Sequence, residues 1–450
     1  MAKATSLSEV RQYFRSQPLS LAELDDYHVP TAVARGGNPV NRLEKLFSAG
    51  IENAHKYQIL FAGYKGCGKS TELNLLEKRL QDDFLVINFS VMRELDPINL
   101  HYVDLFIATM EQLFSVVEEE TFRKHISETY LASIQNWVAS KEVQEIKDKH
   151  FTLEAEAGAG MSVSYFANFF ARFRASAKSS KSMRETIQRT IEPKLSELVN
   201  QCNDLIREVG NHLHRIEKKD ILFIIEDLDK VPLDRAEELF YNYSDQITQL
   251  DSNIIFTFPI PLFYNTRFKT ISNYFDECFV LPMVKIKEQD GADNPTGRQV
   301  LKTIVEKRMD LDLFEDLEHL EKMISYSGGC IRDLFRMVVE AAENGVEFER
   351  EKIAEDDYFS AFQLLKREYD QTIADKVETI DGRQTVIIPV KDFYDALVHL
   401  AQSKSKLPES TQVVMELRQN LTILGYNGEG WCNVHPIVIE ILKSRGKLPA

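Results

Sequence analysis

Cysteine is scarce, with five residues in 450, at positions 67, 202, 278, 330 and 432, and no CxxC pair or Cys/His spacing among them. That argues against a zinc site or a disulfide framework and for a reducing compartment, with most of the thiols expected to be small buried apolar groups. Long apolar runs are lacking too. No uncharged run is longer than Ser252 to Thr266, which is too short for a bilayer and contains Pro259 and Pro261. Residues 1–20 carry Lys3, Arg11 and Arg15 but no apolar stretch of the kind a secretory leader needs. The expectation is a soluble, cytoplasmic protein with no stable membrane span. Positive charge is outnumbered, with 54 Lys and Arg against 70 Asp and Glu for a net of −16. A surface that acidic is no general nucleic-acid clamp, because phosphate contacts need clustered Lys and Arg, although a local basic patch is still allowed. No internal repeat is visible. Hydrophobic residues make up 44% of the chain, ample for real cores, and the length predicts about two to four domains.

Against these absences stands Gly63-Tyr64-Lys65-Gly66-Cys67-Gly68-Lys69-Ser70, which fits the Walker A pattern GxxxxGK[ST]. Tyr57 to Ala62 before it reads as a buried strand, and Thr71 to Leu80 after it as an amphipathic helix. A phosphate cradle needs that strand, loop and helix. Glycines let successive backbone N–H groups turn toward a β-phosphate, the helix N-terminus adds positive dipole, and Lys69 reaches the β and γ oxygens. Gly63, Gly66, Cys67, Gly68, Lys69, Ser70 and Thr71 are therefore the candidate nucleotide-binding residues, with Ser70 a ligand for Mg²⁺.

Phe84 to Val91 is a second strand, and Ile221 to Ile225 a third that ends on Glu226-Asp227-Leu228-Asp229. An apolar strand followed by acids is the Walker B arrangement: it delivers carboxylates to the sheet edge that also carries the phosphate loop. One acid can hold Mg²⁺ and the next orient water, so Glu226 and Asp227 are candidate metal and catalytic residues. Asp234 with Glu237 looks like a capping box for the next helix. Asn253 to Phe258 and a segment within Cys278 to Ile286 complete the strands, and Thr257 ends the fourth, where it could sense a γ-phosphate.

The expected fold class is α/β: a P-loop NTPase parallel sheet with a long helical insertion, a helical lid and a C-terminal winged helix. The expected organisation is a lead-in over residues 1–50 that straps across the site, and a nucleotide-binding domain over 51–288 with the insertion at about 121–218. The lid follows over 289–370 and a winged helix over 371–450, the latter read from helices followed by a hairpin around Gly425-Tyr426-Asn427-Gly428-Glu429-Gly430.

With Gly63–Ser70, Ile221–Asp229 and Gly328-Gly329-Cys330-Ile331-Arg332-Asp333 in view, the chain resembles the AAA+-like and STAND P-loop ATPases, near the origin-recognition initiators and the KAP ATPases. The last motif is similar to the group's sensor 2, GxxRD. The resemblance runs from about Arg35 to the C-terminus and omits the insertion. It implies ATP and Mg²⁺ as ligands, with Lys69 and Ser70 on phosphate and metal and Glu226 or Asp227 supporting Mg²⁺ and hydrolysis. It also implies Arg332 reaching the γ-phosphate from the lid, Thr257 as sensor 1, and Arg267 as an arginine finger completing a neighbour's site. Glu226 departs from the group's usual Asp; the longer side chain moves the carboxylate, so Asp227 takes more of the work and hydrolysis is expected to be slow. Guanine selection lacks NKxD and DxxG, and Ser327-Gly328-Gly329 lies on the wrong side of the acids for an ABC signature.

The implied function is an ATP-controlled switch that changes lid and winged-helix positions, forms homo-oligomers and drives a separate effector chain, in bacterial antiviral defence or stress signalling. The alternative is a DNA-handling AAA+ ATPase, an initiator or transposition regulator; the tail's basic residues allow DNA without favouring it. A small-molecule kinase would need an acceptor pocket that no segment supplies. Met161 to Lys181, with Gly158 and Gly160 before it, spaces Tyr165, Phe166, Phe169, Phe170 and Phe173 along a helix. Its readings are a core helix, a self-association surface, or a contact for an anionic ligand or membrane.

Overall fold

The computed structural model describes residues 2–37, 39–117, 126–138, 140, 163–179, 181–216, 220–380, 383–403, 411–426 and 431–449. Five parallel strands form one sheet: β1 (Gln58–Gly63), β2 (Phe84–Ser90), β3 (Asp220–Glu226), β4 (Asn253–Pro259) and β5 (Glu277–Leu281), in the order β2-β3-β4-β1-β5. Every residue of β1 and β4 is buried, which is why these strands read as unbroken apolar runs rather than alternating ones. In register, Phe61 faces Thr257, Gly63 faces Pro259 and Ile225 faces Phe256. The phosphate loop and the acidic turn therefore leave the same edge of the sheet with β4 between them.

Four helices position the site: α1 (Ala32–Arg35), α2 (Pro39–Asn53), α3 (Lys69–Leu80) and α4 (Tyr102–Val117). The helical sequence after β2 is broken, with a 3₁₀ turn at Pro97–Asn99 before α4 begins. The insertion contributes α5 (Glu128–Val138), α6 (Val163–Ser179), α7 (Lys181–Ile191) and α8 (Leu195–Ile216). Phe166, Phe169, Phe170 and Phe173 of α6 follow an i, i+3, i+4, i+7 spacing and are all fully buried. Phe170 stacks on Phe114 of α4 with centroids 5.5 Å apart and on Trp137 of α5 at 6.0 Å. Arg174 pairs with Glu94 and Glu111. The four phenylalanines are thus core and offer no surface to a second copy, a ligand or a membrane, while Tyr165 is half-buried at the edge of the cluster. Gly158, Gly160 and Met161 and the side chain of Lys181 lie outside the described residues.

A short helix, α9 (Leu233–Glu237), follows the acidic turn, and here the expected capping box is corrected. Pro232 takes the N-cap position, so Asp234 lies inside the helix, where it sits 3.5 Å from Arg235.

Beyond β5, helices α10 (Pro295–Glu306), α11 (Leu317–Ser327), α12 (Ile331–Glu347) and α13 (Glu355–Thr372) pack on a second core. Leu7, Val10 and Phe14 join that core, so the first part of the lead-in belongs to these helices and only the later part lies over the loop. A hairpin of β6 (Lys376–Ile380) and β7 (Arg383–Ile388) comes next. Then follow α14 (Val390–Gln402), α15 (Gln412–Gln419), a second hairpin of β8 (Ile423–Tyr426) and β9 (Trp431–Val434), and α16 (Pro436–Ser444). The tip of that hairpin, including Asn427-Gly428, lies outside the described residues. Among the described residues no helix is long and apolar enough to cross a membrane.

Candidate nucleotide site

The loop between β1 and α3 turns on two glycines in the left-handed region, Gly66 at φ +80° and Gly68 at φ +100°, a conformation L side chains rarely hold. It ends at the N-terminus of α3, whose first residue is Lys69. The Lys69 ammonium is buried and donates to the carbonyls of Gly63 (2.8 Å) and Tyr64 (3.1 Å). Its counter-ion is Asp229, with Nζ 2.8 Å from Oδ2. Burial works against the charged ammonium, but Asp229 outweighs it and Lys69 holds its proton more tightly than usual.

The three acids of the turn do different things. Glu226, buried at the end of β3, faces Ser70 and Asn88; burial pushes its carboxyl up, the bond from Ser70 opposes this, and neighbouring Asp227 adds to the rise. Asp227 takes a positive φ of 70°, which turns its carboxylate aside to accept from Ser90 Oγ and pair with Lys230. Only Asp229 of the three lines the cleft over the loop. Thr257 is buried, and its hydroxyl donates to Ile225 O (3.2 Å) and accepts from Leu228 N (3.0 Å). Those two bonds fix the turn, so in this conformation Thr257 supports the acids rather than facing the loop. Arg267 is exposed and stacks on Tyr241, its guanidinium carbon 3.9 Å from the ring centroid, and it does not line the cleft.

The lid closes the other side. Arg332 N donates to Gly66 O (3.3 Å), and a Cβ on Gly66 would come within 2.7 Å of Arg332 Cβ and 3.1 Å of Cys330 Sγ. The cleft so formed encloses about 120 Å³ among Lys65, Lys69, Ser70, Asp229, Lys230 and Arg332. It continues past Gly68 and Thr71 into a second hollow of about 190 Å³ walled by Tyr13, Pro18, Tyr27, Val29, Ile331 and Phe335. The lead-in supplies most of that wall. Leu19 N donates to Thr71 Oγ1 at 3.3 Å, and Thr31 bonds Glu72 on the first turn of α3 at 3.2 Å. Arg35 is buried: it donates to Thr31 Oγ1, to Pro282 O and, at 2.6 Å, to Cys67 O in the loop.

These residues suit a nucleoside triphosphate. Left-handed glycines, a helix N-terminus and a buried lysine whose counter-ion is a carboxylate form an anion cradle, and the adjoining hollow, lined by rings and aliphatic groups together with polar ones such as Arg15, Glu23 and Arg308, has room for a base. Among the described residues no three His, Cys, Asp or Glu side chains converge on a ready-made cation site. A Mg²⁺ ion would take Ser70 and Glu226 from the protein and the rest of its oxygens from phosphate and water, neutralising phosphate charge.

The sheet, loop and acidic turn define a P-loop NTPase domain. The family model for the KAP family P-loop domain matches residues 45–244, and this segment is accordingly related to the KAP P-loop domain. Solved structures that align along most of the chain include the ORC1 protein of Aeropyrum pernix in complex with DNA, at 13% identity, 93% of this chain, 94% of that chain and a TM-score of 0.39. Cdc6p of Pyrobaculum aerophilum aligns at 10% identity over 95% and 97% with a TM-score of 0.37. The RuvB Holliday junction branch migration motor of Thermotoga maritima aligns at 11% identity over 92% and 97%, TM-score 0.35. Likenesses this distant decide nothing about function. No curated protein matches the sequence.

Proposed function

We propose that the chain is an ATP-binding switch that hydrolyses ATP slowly and passes the state of its phosphate loop to the lid and the C-terminal module. One observation carries this reading: three modules each grip a different residue of the loop. Arg35 of the lead-in holds Cys67 O, the lid packs on Gly66, and Gly425 of β8 packs on Tyr64, where a Cβ would come within 2.7 Å of the ring. The lid and the C-terminal module are also tied to each other. Asp333, next to Arg332, accepts from Tyr369 Oη (2.6 Å) and lies 3.2 Å from His435 Nε2, all three buried. A phosphate group entering the loop would displace atoms that all three modules touch, and discrete repacking of such contacts is how switches move.

In this reading Lys69, Ser70 and the N–H groups of Gly66, Cys67, Gly68 and Thr71 hold phosphate, Arg332 reads the terminal phosphoryl from the lid, and the hollow beneath Tyr27 and Phe335 seats adenine. The lid spans residues 289–370 and the C-terminal module, arranged as a winged helix, residues 371–450. Arg267, exposed and held flat on Tyr241, is available to a neighbouring subunit, and the output goes to a separate effector chain of a defence or stress pathway.

The test is sizing by light scattering of wild type and Lys69→Ala with ATP, ADP or no nucleotide, each with and without duplex DNA. Assembly that requires ATP and Lys69 but not DNA supports the switch. Assembly only on DNA, falling steeply with salt, would move the assignment to a DNA-handling ATPase.

A further inference from the structure

We propose that Asp229, rather than Asp227, is the carboxylate that activates the attacking water, and that it is stored on Lys69 until nucleotide arrives. The proposal rests on the ATPase reading above. Sequence order makes Asp227 the obvious candidate, as the acid directly after Glu226, but the backbone removes it. With φ at +70° its two oxygens are committed to Ser90 Oγ and Lys230 Nζ, and Asp227 itself does not line the cleft. Leu228 N is anchored on Thr257 Oγ1, and that anchor brings the next residue, Asp229, back toward the loop. Its buried carboxylate ends 2.8 Å from the ammonium that must meet the terminal phosphates.

The arrangement has a chemical consequence. Lys69 has one strong anionic partner at a time, so a γ-phosphate that captures the ammonium releases Asp229 beside it. A freed carboxylate in a buried cleft needs a new donor, and a water molecule between it and the phosphorus is the donor at hand. Lys65, Lys230 and Arg332 line the same cleft and offset the added negative charge. In the step, the water oxygen bonds to the γ-phosphorus as the bond from that phosphorus to the bridging oxygen breaks. ADP leaves with that electron pair, inorganic phosphate forms, and the water's proton passes to Asp229 and on to solvent. The same carboxylate therefore guards Lys69 in the empty site and acts in the filled one.

The two roles predict opposite effects of one substitution. In the full-length protein, Asp229→Asn removes the competitor for Lys69, so ATP binding measured by calorimetry should tighten by roughly tenfold. Single-turnover hydrolysis of bound ATP should fall by about 10²- to 10³-fold, as for loss of a general base. A residue that merely supported the turn would weaken both. Asp227→Asn should lose less than tenfold in turnover. Asp229→Asn hydrolysing bound ATP within a few-fold of wild type, while Asp227→Asn loses a hundredfold or more, would overturn the proposal and leave the ATPase reading standing. Weaker ATP binding by folded Asp229→Asn would overturn it as well. A wild-type chain that does not bind or turn over ATP removes the ATPase reading itself, and this proposal with it.

Discussion

Gly425→Ala tests the coupling between the C-terminal hairpin and the phosphate loop with a single methyl group. Gly425 lies within β8 and its φ is not in the left-handed region, so alanine meets no backbone strain there. What it meets is Tyr64: the new Cβ would sit 2.7 Å from Cε2 and Oη and 3.0 Å from Cζ. Carbon contacts are comfortable at about 3.5–4.0 Å, so ring and strand must part by about 1 Å. Neither side yields cheaply. Tyr64 is buried, and its carbonyl accepts from Lys69 Nζ and Cys67 N, while Gly425 O accepts from Met283 N. Overpacking of this kind costs about 1–3 kcal/mol. If that cost falls on docking, the undocked population rises roughly five- to 150-fold. Hydrogen exchange should show it as lost protection in residues 423–426 and in 64–69 together, with ATP affinity changed in the same preparation. Tyr64→Leu, which lacks the three clashing atoms, should restore protection when combined with Gly425→Ala. Unchanged exchange in both segments of Gly425→Ala would refute the coupling, because the methyl would then have been absorbed without moving either partner.

Two further outcomes follow from buried charge. Lys69→Ala strands the Asp229 carboxylate and should cost about 3–5 kcal/mol in nucleotide-free urea unfolding, most of it recovered in Lys69→Met with Asp229→Asn. Asp104 on α4 is buried, and burial pushes its carboxyl up to about 7 against the His101 N–H and Arg184, with Gln188 also donating and Asp96 nearby. An acid whose folded pKa is raised contributes stability that is lost as pH rises from its ordinary value, near 3.8, through the folded one. Asp104→Asn should therefore melt above wild type at pH 8, with the gap narrowing toward pH 4; a gap independent of pH would show that Asp104 does not titrate in this range.

The fold was legible where burial is two-sided. YQILFA, ILFII and NIIFTF are dominated by apolar residues because β1, β3 and β4 lie inside the sheet, whereas β2, at its edge, mixes buried with half-buried positions, and the glycines of the loop are forced by its geometry. β6 was not legible: Lys-Val-Glu-Thr-Ile belongs to a small exposed hairpin, and Val377 is itself exposed, so no burial pattern marks it. Within the site, Lys69, Ser70 and Glu226 could be read from motif order, since the strand and helix that carry them are regular. Asp229 could not, because its placement depends on a left-handed Asp227 and on a hydroxyl from another strand. Arg35 reads as a polar turn residue, and nothing local reveals that its guanidinium is fully enclosed between Pro282 and the loop.

The grip of three modules on Tyr64, Gly66 and Cys67 also changes what the pattern GxxxxGK[ST] means in this chain. Its x positions are ordinarily free spelling, open to drift because the glycines, lysine and hydroxyl do the binding. Here two of those letters have partners of their own, Tyr64 against Gly425 of the C-terminal hairpin and Gly66 against Arg332 and Cys330, while Arg35 holds the backbone carbonyl at 67. If the switch proposed above operates, a loop swapped in from another P-loop protein, correct at every fixed position but bulkier at 66, should still bind ATP by calorimetry while hydrogen exchange shows lost protection in residues 331–334 and 423–426.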